Sequence, residues 1–187
     1  SRPEGLQVID SGPWNGAQAL SIEQGSADPL IVELDKPLGT KGTVSFWARP
    51  RKWYRSGPGV ETFRCDVVKI DKIGKFWFQH QSNDVLLAWD WDWNQVEGVG
   101  WAGTYVPEFP GPEWYQFVYT WDAGEGLFEC YLNGVQQQQS GVPSPWTMVE
   151  GNRVEIRPGV FDIADLRINY KYTSKQSVRR QLPVIYL

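Results

Sequence analysis

WYQFVYTWDAGEGLFECYLNG, residues 114–134, holds two alternating apolar runs joined by a compact polar turn. Such a stretch reads as a β-hairpin. In the first arm Tyr115, Phe117, Tyr119 and Trp121 share one face and Gln116, Val118 and Thr120 the other, as the two-residue period of a strand requires. In the second arm Phe128, Cys130 and Leu132 oppose Leu127, Glu129, Tyr131 and Asn133. Asp122 to Gly126 forms the turn between the arms, and Asn133-Gly134 is a strong signal for a second tight turn. One face of this hairpin is expected to be core.

Outward from the hairpin, further strands are expected at Ala19 to Ile22, Pro29 to Leu34, Thr43 to Arg49, Phe63 to Lys69, Lys75 to Gln81 and Val85 to Asn94. Two more fall at Val154 to Arg157 and Phe161 to Tyr170, with a short one near Trp101 to Val106. Residues 1–18 read as irregular, Asp35 to Gly39 as a bend, and Ser174 to Leu182 as a short C-terminal helix capped by Ser174. The order of several of these stretches resembles laminin-G-like domains of the concanavalin A-like jelly-roll superfamily. The resemblance is carried by the opening strands at Ala19 to Ile22 and Pro29 to Leu34, by GTVSFWARP at residues 42–50, by the central hairpin, and by the closing IADLRI at residues 163–168. It implies an all-β, two-sheet antiparallel β-sandwich spanning nearly the whole chain, and a single domain over residues 1–187.

Composition bounds the function. A chain of 187 residues can bury a substantial core without staples. A net charge of −4 and a sequence pI near 5.1 argue against a nucleic-acid partner, because phosphate binding needs a basic footprint. No apolar run is long enough to suggest a membrane span. Ser1 to Gly5 carries no signal peptide, which fits a cytosolic protein or a mature module of a larger secreted one. Cys65 and Cys130 leave two alternatives, one disulfide or two thiols packed as small hydrophobes. Eleven tryptophans exceed what a core of this size needs, so the surplus is expected at a surface where flat apolar rings are useful.

Two regions stand out as candidate contacts with a sugar. Residues 50–61 form a loop in which Arg49, Arg51, Lys52 and Arg55 surround Trp53 and Tyr54. It is either a solvated loop whose arginines cover the rings, or a contact for an acidic glycan that stacks on rings and pairs with guanidinium groups. In WDWDWN at residues 89–94 the period of two sets Trp89, Trp91 and Trp93 against Asp90, Asp92 and Asn94. Burying two aspartates costs more than burying the rings, so the tryptophans are expected inward and the aspartates outward. Trp77, Gln79 and Gln81 on the preceding strand are their expected neighbours, giving amides and carboxylates beside an exposed ring. The long stretch 95–113 adds Trp101 and Tyr105, as a self-packed loop or a ligand contact.

Catalytic chemistry finds little support. Asp90 to Asn94 starts like an EF-hand, but Gln95 and Trp101 occupy the positions of the required Gly and Glu. Retaining glycosidases of the superfamily are similar to one another in a Glu-x-Asp-x-Glu strand, which is absent; Asp90 and Asp92 are the nearest approach. Jelly-roll polysaccharide lyases use a His and a Tyr, and His80 is the sole histidine, in a pattern that equally suits a packed core residue. The resemblance also implies a calcium site, at Asp28, Asp162 and Asp165, although the closing strand lacks one of the family's acidic residues. The expectation is a non-catalytic polysaccharide-binding module of an extracellular or cell-surface protein. The alternatives are a small polysaccharide lyase or glycoside hydrolase working through His80 or the Asp90 and Asp92 pair, and a protein-adhesion domain.

Overall fold

The structure, a computed structural model, describes residues 6–22, 29–51, 63–80, 85–91, 101–106, 113–137, 150–157 and 161–174. In chain order the strands are β1 (Leu6–Ile9), β2 (Ala19–Ile22), β3 (Leu30–Leu38), β4 (Lys41–Pro50), β5 (Phe63–Ile70), β6 (Gly74–His80) and β7 (Val85–Trp91). They continue with β8 (Trp101–Val106), β9 (Tyr115–Asp122), β10 (Leu127–Leu132), β11 (Val135–Gln136), β12 (Gly151–Ile156) and β13 (Phe161–Asn169). Two antiparallel sheets result. One runs β1-β2-β13-β4-β9-β10-β11, the other β3-β12-β5-β6-β7-β8. The expected all-β sandwich is therefore present, and the hairpin that announces it is β9 and β10, with Phe128 opposite Trp121 and Cys130 opposite Tyr119.

The period of two builds the core from both sheets. Val44, Phe46 and Ala48 of β4 and Phe117, Tyr119 and Trp121 of β9 meet Phe76 and Phe78 of β6. Phe76 lies 5.2 Å from Phe46, 4.9 Å from Phe117 and 5.7 Å from Tyr119, ring centre to ring centre. Offset and tilted rings at these distances add to the area they bury. Trp121 is fully buried and donates its indole N–H to the Gly39 carbonyl at 2.8 Å. Its ring passes so close to Gly42 that a Cβ there would sit 2.3 Å from it, which is why this strand position holds glycine. Cys130 is a free, buried thiol, which excludes a disulfide to Cys65; burial pushes it up to about 12, although a hydrogen bond with Tyr119 acts the other way.

Several sequence expectations change. Residues 6–9, read as irregular, form an edge strand on β2. The expected bend at Asp35 to Gly39 is the end of β3, which runs on through Pro37; proline's missing N–H is tolerated because β3 is the edge of its sheet. The β9 strand is buried on both faces rather than one. The expected C-terminal helix begins at the limit of the described residues and, beyond Ser174, lies outside them.

Candidate functional site on the outer face of the seven-stranded sheet

The outer face of β4, β9, β10 and β13 divides into three zones along the strands. At one end the turn before β2 packs down: Trp14 meets Trp47 edge to face at 6.1 Å, and Trp47, Ala19 and Ala164 form a small apolar cluster with Ile9 and Trp114. At the other end residues 171–173 lie over the sheet. Thr43 donates to the Lys171 carbonyl at 2.7 Å, the Thr173 N–H donates to Thr120 Oγ1 at 2.8 Å, and the Tyr172 hydroxyl donates to Glu129. Burial, reinforced by Glu129, pushes the hydroxyls of Tyr131 and Tyr172 well up, so both stay protonated.

Between these covered zones lies a depression lined by Ser45, Phe46, Trp47, Gln116, Asp165 and Arg167, enclosing a cavity of about 10 Å³. Strand register assembles it. Trp47 stands opposite Gln116 on one side and Ala164 on the other, and Ser45 stands opposite Arg167. Between Ala164 and Arg167 the register slips, so Asp165 and Leu166 together face Phe46. Asp165 has φ near 50°, a left-handed conformation that aspartate accepts more readily than most residues. The bulge turns its carboxylate to Arg167, whose Nε donates to it at 2.8 Å.

Gln116 is the unusual member. It is 5% exposed, and its backbone is tied to Asn133, with the N–H donating to Asn133 Oδ1 at 2.8 Å and the carbonyl accepting from the Asn133 N–H at 2.9 Å. Its side-chain oxygen accepts no hydrogen bond. A buried amide oxygen left unpaired costs about 1–3 kcal/mol, so this is an acceptor held ready for a donor. Beside it, Trp14 keeps 40% of its surface exposed, on a turn fixed by Gly12 N–H to Ala17 O at 2.9 Å and Ala17 N–H to Trp14 O at 3.0 Å.

The residues nominated by the sequence fall elsewhere. Trp53, Tyr54, Arg55, Gln81, Asp92 and Asp28 lie outside the described residues. Gln79, His80, Asp90, Trp101 and Tyr105 are placed by backbone alone, on the six-stranded sheet. Register sets Asp90 between Lys75 and Trp101, and Leu86 between Gln79 and Tyr105, so Asp90 faces Lys75 across β6 rather than a glutamine. Trp77 is 5% exposed on a strand whose Phe76 and Phe78 are also buried, so its ring has no free face for a sugar.

Arg49, Arg51 and Asp162 are corrected together. Asp162 is buried and accepts from Arg49 Nε at 3.1 Å and Nη2 at 2.8 Å, with Arg51 Nε 3.4 Å away. The remaining Arg49 nitrogen donates to Ser11 Oγ at 2.8 Å, and its guanidinium lies 5.0 Å from the centre of the Trp114 ring. These arginines hold the sheet together rather than reaching for an acidic ligand. The calcium site does not fit either: Asp162 and Asp165 are each paired with arginine, and among the described residues no three metal-ligating side chains cluster.

A laminin-G family model, described as the concanavalin A-like lectin/glucanases superfamily, matches residues 25–175. The chain belongs to that superfamily. No curated protein sequence matches this superfamily member. Among solved structures it is similar to the binding domain of Paraclostridial Mosquitocidal Protein 1, at 12% identity and TM-score 0.64 over 96% of this chain and 46% of that one. The binding domain of botulinum neurotoxin DC in complex with rat synaptotagmin II is 14% identical, with TM-score 0.65 over 96% and 45%. A structure titled for the dependence of botulinum neurotoxin type C cell entry on two ganglioside molecules is 15% identical, with TM-score 0.58 over 96% and 44%. The chain thus spans under half the length of each, and at these identities the likeness is one of fold.

Proposed function

We propose that this concanavalin A-like domain is a non-catalytic glycan-binding module of a secreted or cell-surface protein. The sugar ring stacks on Trp14, and its hydroxyls reach Gln116, Asp165 and Arg167 in the neighbouring depression. The observation that carries this is the unpaired Gln116 oxygen, which aims an acceptor into a recess walled by a charge pair and by Trp47. Flat ring, amide, carboxylate and guanidinium together supply the stacking surface and the directed polar groups that sugar recognition uses. The fixed turn under Trp14 lowers the ordering cost of binding. The ganglioside named in one neighbour's title supports a carbohydrate ligand at the level of fold only.

A protein-adhesion role is the second reading. It is supported by Ile31 and Val32, which are 44% and 41% exposed on the edge strand β3, and by the synaptotagmin complex of another neighbour. Affinity electrophoresis through gels holding neutral and acidic polysaccharides separates the two. Retardation that Trp14→Ala weakens about tenfold, with thermal stability unchanged, supports the glycan site. Absence of retardation in every gel moves the assignment to a protein partner.

A further inference from the structure

We propose that the outer-face depression selects an uncharged, hydroxyl-donating sugar and rejects anionic ones, an inference that rests on the glycan-binding reading above. Its acceptors outnumber its free donors. Gln116 presents an unpaired oxygen, and Asp165 presents a carboxylate whose lone pairs exceed the single Arg167 bond it accepts. A carboxylate or sulfate placed there would set oxygen against oxygen, and the desolvated repulsion has nothing to offset it. A hydroxyl group, by contrast, donates to Gln116 Oε1 and can still accept from Ser45 or Arg167.

The nearby positive charge does not alter this balance. Arg167 is matched by Asp165, while Arg49 gives all three of its nitrogens to Asp162 and Ser11. Arg51 is directed to the same Asp162. The volume narrows the ligand further. A cavity of about 10 Å³ is on the order of what one water needs. It therefore seats one hydroxyl or the end of a hydroxymethyl group, and the rest of the ring stays outside, against Trp14.

Galactomannan and hydroxyethylcellulose serve as neutral probes, polygalacturonate and chondroitin sulfate as anionic ones, each run at low and at high salt. The expected result is retardation in at least one neutral gel, insensitive to salt, weakened about tenfold or more by Gln116→Leu. Replacing an unpaired buried amide with an apolar isostere should leave folding intact, which a thermal melt checks. Asp165→Asn keeps a residue that accepts the left-handed backbone and adds an amide donor; it should weaken neutral binding and begin to admit polygalacturonate. Retardation confined to the anionic gels, salt-sensitive and lost in Gln116→Leu, overturns the selectivity while leaving the site in place. Retardation that survives Gln116→Leu, or none at all, overturns the glycan site itself.

Discussion

Asp162 and Asp165 stand three residues apart on β13, and their surroundings are opposite. Asp162 is extended, 2% exposed, and faces two guanidinium groups that come from β4 and the residue just beyond it. Asp165 sits on a bulge with positive φ, 26% exposed, with one arginine that is itself 57% exposed. The first carboxylate has its charge balanced inside the protein, so its work is structural. The second is held in an unusual backbone conformation with bonding capacity left over, beside an amide oxygen with no partner at all. Unspent polar capacity, more than charge, separates the candidate site from the scaffold around it.

The comparison breaks most visibly if Asp162 is removed. Asp162→Ala leaves two partly buried arginines without their counter-charge and should cost about 2–3 kcal/mol, less than a fully buried pair because both arginines retain access to water. Urea unfolding should show a lower midpoint with an unchanged slope. An Asp162→Ala protein as stable as the parent would mean that solvent can replace the pairing, and the contrast with Asp165 would lose its basis.

A smaller effect tests the backbone side of the contrast. Asp165→Ala and Asp165→Gly both delete the carboxylate, but only alanine carries a Cβ into a left-handed backbone. The glycine variant should be more stable than the alanine variant by about 1 kcal/mol. At Asp162, in an extended strand, the order should reverse, since glycine there only adds chain entropy to be lost. Thermal melts of the four variants read this out directly, and the two Asp165 variants should also lose glycan affinity.

The same pair shows what the sequence could and could not reveal. The alternation at 115–121 and 127–132 is local, and so β9, β10 and the core face of β4 were readable in advance. Arg49 and Asp162 are 113 residues apart, and nothing near either one names the other. Read separately, one suggested an acidic glycan and the other calcium; adjacent strands make them partners. Coverage of the outer face is equally non-local, since it comes from the turn holding Trp14 and from residues 171–173. Two signals were present but undervalued. Trp14 lies between Gly12-Pro13 and Asn15-Gly16, turn residues that would hold a ring at the surface. Gln116 lies among apolar neighbours on a strand, where a buried amide calls for a partner. The bulge at Asp165 had no local signature.

The smallest effect sharpens the comparison with a third carboxylate. Asp122, at the end of β9, is buried like Asp162, yet its partner Lys41, 2.7 Å away, is exposed like Arg167. The hydrogen bond from Lys41 holds the Asp122 carboxyl below its ordinary 3.8 against the opposing effect of burial, helped by the Glu125 backbone N–H, and the same bond raises Lys41 above 10.5. A depressed acid contributes stability above its unfolded pKa and loses it as pH falls through the folded value; a raised base contributes below its unfolded pKa and loses it as pH rises through the folded one. Lys41→Met should therefore be slightly less stable than the parent between about pH 4 and pH 10, and the gap should close on both sides of that window. Added salt should shrink the gap at neutral pH, because Lys41 is open to solvent. Urea midpoints at pH 3, 7 and 11, each with and without salt, measure this. A gap that stays constant across pH would assign the loss to the packing of the lysine stem instead, and burial of the carboxylate alone would then not be enough to make an ion pair structural.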